Sequence, residues 1–143
     1  MCRNDPGRCD EWDPVAGGNR APLFPRTGLT AAPVPAGGET LLPQTCGTDR
    51  SVTDTPPYPE ARVQWSRAHG RPARDVHGQL SGVPWWLQHD EAPMCPSCAR
   101  PMAFTAPLEE GRDHRTALNF GGGGHGYAFA CGPCEEGSFL WQC

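Results

Sequence analysis

Two cysteine pairs constrain this chain more than any other feature. "CPSC" covers Cys95–Cys98 and "CGPC" covers Cys131–Cys134, with 32 residues between them. A CxxC turn brings two sulfurs to one side of a tight loop. Two such turns at the tips of neighbouring strands close a tetrahedron of thiolates, the ligand set of a structural zinc site. The gap exceeds the roughly 15–20 residues of the simplest four-cysteine spacing, but added loop length costs little closure entropy. Strand-like sequence follows each pair, "PMAFTAPL" after the first and "GSFLWQC" after the second. One structural Zn²⁺ held by Cys95, Cys98, Cys131 and Cys134 is therefore expected.

CGPC is also the active-site tetrapeptide of thioredoxin, so a dithiol oxidoreductase is the competing reading. A redox CxxC opens a helix, whose N–H groups and dipole lower the thiol pKa. Here "EEGSFLWQC" follows, nine residues with a glycine and a strand-like end, and Ala130 precedes Cys131. Four thiolates leave a zinc ion no open position for water or substrate. No catalysis is expected.

Composition points to a small core that needs such a staple. Residues 1–60 hold ten prolines and seven glycines, a density that favours irregular chain. They read as a Pro/Gly-rich, partly irregular or disordered segment, with a short strand at Glu39–Leu42. Residues 61–143 read as a β-rich zinc-binding domain. "DTPPYPEARVQW" reads as polyproline-like chain entering a strand near Ala61–Trp65. No long 3.6-residue periodicity is visible, so the fold class is mainly β, with short antiparallel strands.

The N-terminus has no apolar run of signal-peptide type, and no stretch reaches the roughly 18 apolar residues that span a bilayer. A cytoplasmic protein is expected. Cys2, Cys9 and Cys46 with a histidine are a weaker second metal set, and Cys143 reads as a free thiol. The net charge is −4, divided as −3 over 1–60, +2 over 61–90 and −3 over 91–143. Nucleic-acid binding needs basic surface, so a zinc-ribbon nucleic-acid binder is not expected. Arg62, Arg67, Arg71 and Arg74 are its only candidate patch. "GGGG" at Gly121–Gly124 reads as a turn with positive φ, not a phosphate cradle. His125 and the pairs Glu109-Glu110 and Glu135-Glu136 read as solvated surface. Trp85 and Trp86 are adjacent, so on extended chain they face opposite ways. They are the candidate protein-binding residues.

Four stretches in order resemble the YwqG-like family, a bacterial family of unknown function. They are "HGQLSGVPWWLQ", "CPSCARPMAF", "NFGGGGHGYAFAC" and "FLWQC", all within residues 77–143. The pattern is also similar, more distantly, to the programmed cell death protein 2 family. Ser81 and Ala99 stand where the bacterial pattern has glycine, and Pro107 where it often has glutamine. The resemblance implies a β-rich scaffold without established catalytic residues, and chaperone-like binding of a protein partner. It names no partner for this chain.

Overall fold

The computed structural model describes residues 21, 23, 47–50, 56–112, 117, 118 and 120–143, with the backbone alone for 47–50. The strand expected at Glu39–Leu42 lies outside these residues, as do Cys2, Cys9 and Cys46.

Five strands lie in chain order in one sheet: β1 (Gly47–Arg50), β2 (Val76–Leu80), β3 (Ala103–Glu109), β4 (His125–Cys131) and β5 (Glu136–Gln142). β2 to β5 pair antiparallel, as expected of a mainly β chain. β1 departs from that pattern and runs parallel to β2. Parallel neighbours need a crossover connection, and the segment between them contains helix α1 (Tyr58–His69).

Helix α1 corrects the strand expected at Ala61–Trp65. The signals are those of a helix. Proline sits in the first turn, where its missing N–H is no loss. Glu60 lies in the first turn and Arg67 and His69 in the last, matching the helix dipole. Gly70 ends it in the left-handed region (φ 62°), its N–H donating to the Ser66 carbonyl. Tyr58 and Ala61 are the buried residues, one turn apart. β2 is likewise not among the expected strands, because polar His77 and Gln79 alternate with Val76 and Gly78 and leave no apolar run.

Paired residues share a face of a sheet. His125, Tyr127 and Phe129 of β4 therefore point the same way as Glu109 of β3 and Leu140 and Gln142 of β5. α1 and the loop 81–94 cover this face, as contacts from Arg62 to Glu109 and from Trp86 to Tyr127 show. Phe139 lies on the other face, where Phe120 packs against it. The central apolar cluster is Cys95, Met102, Tyr127, Phe129, Cys131 and Leu140, with Trp86, Cys98, Phe104 and Cys134 against it.

The glycine loop before β4 is a turn with positive φ at Gly121, Gly122 and Gly123, as expected. Its N–H groups are not idle. Those of Phe120, Gly122 and Gly123 donate to Glu110 Oε2 at 2.8, 3.0 and 3.0 Å. Glu110 is thus an internal anchor, not the solvated carboxylate expected. Burial pushes its carboxyl up, but the backbone donors of Gly123, Phe120, Gly122 and Gly124 outweigh this and hold it below the ordinary range. A depressed folded pKa means that the unfolded chain binds the proton better. The stabilisation from Glu110 is therefore complete above the ordinary carboxylate range and lost as pH falls through the depressed value. Urea unfolding should show wild type more stable than Glu110→Gln at pH 6, with the gap closing in acid. A gap that widens in acid would contradict this assignment.

Candidate metal centre

The two cysteine turns meet because of strand register. β3 starts five residues after Cys98, β4 ends at Cys131, and antiparallel pairing sets Ala103 opposite Ala130. Both turns therefore occupy one end of the sheet.

The first turn is held by its own backbone. The Cys95 N–H donates to the Arg100 carbonyl and the Ala99 N–H to the Cys95 carbonyl, both at 2.8 Å. Met94 and Pro101 bridge its base. The second is a single 3-10 turn, Gly132–Cys134, closed by the Glu135 N–H on the Gly132 carbonyl. In each turn the residue after the second cysteine is left-handed: φ is 53° at Ala99 and 55° at Glu135. Ser81 is left-handed too, at 66°. A side chain in that region costs about 1–2 kcal/mol. Ala99→Gly should therefore stabilise the protein by about 1 kcal/mol, less glycine's extra unfolded-state entropy. Thermal unfolding of the metal-loaded protein checks this, and a lower midpoint would contradict it.

The four sulfurs all lie within 4.8 Å of one another. Cys98 Sγ and Cys131 Sγ are 3.8 Å apart. A tetrahedron with zinc–sulfur bonds of ~2.3 Å has edges of about 3.8 Å. Cys95 and Cys131 are buried; Cys98 and Cys134 are partly exposed. The donor set fits one metal ion such as zinc, with no fifth ligand needed. Among the described residues it is the one cluster of this kind.

No known family model, curated protein or solved structure matches this chain.

Charge around the thiols is uneven. The Arg100 side chain, with its backbone, lowers the Cys98 thiol to about 6. Hydrogen bonding to Cys98 and then Cys131, with burial, pushes Cys134 up to about 12. Burial raises Cys131 as well. The protons on Cys131 and Cys134 must leave when a metal binds, so metal affinity falls in acid. CGPC itself leads into β5 through one short 3-10 turn. It has no following helix of the kind that activates a redox dithiol.

Trp85 and Trp86 do face opposite ways. Trp86 stacks on Tyr127 at 4.5 Å and on Phe129 at 6.0 Å between ring centroids. It belongs to the cluster around the thiols. Trp85 is 48% exposed, with Val83 at 68% and Leu87 at 42% on either side. Exposure alternates from 83 to 87, so these three form an outward apolar row. Sequence reasoning missed the residue that holds the row in place, Gln142. Its Oε1 accepts from the N–H groups of Leu87 and Gln88, both at 3.1 Å. Its Nε2 donates to the His89 carbonyl and to Glu91 Oε2 at 2.8 and 2.9 Å. Tyr127 Oη adds a bond from the Leu87 N–H and donates to the Trp85 carbonyl. The period-two pattern of "SFLWQ" could have flagged Gln142, because it places that polar side chain on the same face as Leu140.

Three charged residues expected at the surface are engaged elsewhere. Glu109 Oε1 lies 2.6 Å from Arg62 Nη1 and 3.5 Å from His125 Nε2. Burial lowers the His125 pKa, against the pull of Glu109. Arg62 also donates to the Ala73 carbonyl, and Arg71 pairs with Asp75 at 3.0 Å. Two of the four arginines in the candidate basic patch are thus neutralised. Among the described residues, no helix is long and apolar enough to cross a membrane.

Proposed function

We propose that the protein is a structural-zinc protein-interaction module of chaperone-like type, without catalysis, acting in the cytoplasm on a protein partner. The observation that carries this reading is the outward row Val83, Trp85 and Leu87, fixed beside a four-thiol site by the inward Trp86. Aromatic anchors with a rigid backbone are the usual source of affinity at protein interfaces. Zinc with four thiolates supplies shape rather than reactivity. The resemblance to the YwqG-like family, which rests on sequence motifs alone, points the same way.

The first measurement is metal per chain and thiol protection in native protein carrying no metal-binding tag. One zinc, with four thiols protected until a chelator is added, is expected. A reversible Cys131–Cys134 disulfide without metal would replace this reading with the oxidoreductase one. The second measurement compares wild type with Trp85→Ala in affinity capture, quantified by mass spectrometry. A defined set of proteins should be lost with Trp85→Ala while the unfolding midpoint stays within a few degrees. Trp86→Ala should instead destabilise by about 3 kcal/mol, as truncation of packed aromatics does. Identical capture by wild type and Trp85→Ala would remove the row from the interface.

A further inference from the structure

The loop 81–94 is a strap with two kinds of anchor. In its middle, Gln142 and Tyr127 hold the backbone of Trp85, Leu87, Gln88 and His89. At its end it runs straight into the first cysteine turn. The Pro93 carbonyl accepts the Met102 N–H at 2.9 Å, and Met94 bridges Pro101. Trp86 joins the two anchors, because it packs on the cluster that contains Cys95 and Cys131.

We propose that metal occupancy of the four-cysteine site controls whether this strap is fixed on the sheet. The loaded site would present Val83, Trp85 and Leu87 as a rigid row, and the metal-free site would release them. This inference rests on the interaction reading above.

The physical reason lies in how weakly the first turn is tied without a metal. Ser97 Oγ donates to Glu136 Oε1, at the start of β5 just past the second turn, in a 2.8 Å solvent-exposed bond. Such bonds contribute little net stability. The other ties are weak thiol contacts such as Cys98 Sγ to Cys131 Sγ and apolar packing by Cys95, Cys98 and Met102. When the first turn moves, Glu91 and His89 move with it, and they complete the hydrogen bonds of Gln142. The ladder of β3, β4 and β5 depends less on the metal. Its pairing continues to Glu109, His125 and Gln142, at the end away from the thiols. Tyr58, Ala61, Val76 and Phe120 are buried outside the thiol cluster. The strap should therefore open first, as a local event well below global unfolding.

The test is residue-resolved amide exchange on the full chain, zinc-loaded and then stripped by a chelator under reducing conditions. Metal content is measured in both samples. Leu87 and Gln88 amides should exchange on the order of tenfold faster or more after stripping, as local opening predicts. In the stripped protein the amides of Tyr127 and Phe129, in the central strand, should still exchange much more slowly than those of Leu87 and Gln88, because they wait for global unfolding. Gln142→Ala in the zinc-loaded protein should speed the same two amides without loss of zinc. Unchanged exchange at Leu87 and Gln88 would show a strap independent of the metal and overturn the proposal. Equal protection of all four amides after stripping would overturn it too, since the strap would then open only with the whole fold. A protein that takes up no zinc would instead fail at the metal analysis, which separates failure of the site from failure of the strap.

Discussion

Cys131→Ser is expected to lose its zinc and a large share of its stability. A ligand present at a thousandfold excess over its Kd stabilises by about 4 kcal/mol. Small domains are stable by roughly 5–15 kcal/mol in all, so the loss is a substantial fraction. It corresponds to a fall in the unfolding midpoint of roughly 10–25 °C for a chain of this size. Cys143→Ser is the control. That thiol is exposed and stands outside the cluster, so zinc content and midpoint should both be retained. Zinc analysis and calorimetry on the two variants decide the matter. A Cys131→Ser protein with one zinc per chain and an unchanged midpoint would remove these four residues as the ligand set.

The second large effect is expected at Gln142. The side chain is 1% exposed and satisfied on both its oxygen and its nitrogen. Gln142→Leu keeps the volume and removes every one of these bonds. Each buried partner left unsatisfied costs about 1–3 kcal/mol, reduced where water can reach it. A total loss of about 2–4 kcal/mol in urea unfolding is therefore expected. Gln142→Glu would keep the acceptors, lose the donors and set a second carboxylate against Glu91. It should be no better than Gln142→Leu. A loss under about 0.5 kcal/mol, the level of ordinary surface substitutions, would show that the strap does not depend on this residue.

The four-cysteine cluster was legible because its chemistry is local. Each pair of cysteines defines its own turn, and the strands that bring the turns together, β3 to β5, follow directly in sequence. α1 was harder to read. Its buried face offers Tyr58 and Ala61, with Arg62 between them and Trp65, so apolar periodicity is faint. Its end signals, Glu60 and Gly70, carry more information than its face. Arg62, Glu109 and His125 could not be read as a group, since the Arg62–Glu109 contact spans 47 positions. Charged residues look solvated in sequence whenever their partner is that far away. Glu110 was hidden for a related reason. Its partners are backbone N–H groups, which no side-chain pattern reveals. Ser81 and Ala99 were legible as departures from glycine in the resembled motifs, and both have left-handed backbone.

The alternation of Val83, Trp85 and Leu87 with inward Pro84 and Trp86 has a consequence for how such a surface can change. The side chains that hold the strap and those it displays do not overlap. Gln142, Tyr127 and the thiol cluster grip backbone atoms and Trp86; none of the hydrogen bonds in that grip uses the side chain of 83, 85 or 87. Mutation at the three outward positions therefore meets little resistance from folding. A lineage, or a designed library, could exchange one binding preference for another there while inheriting the scaffold intact.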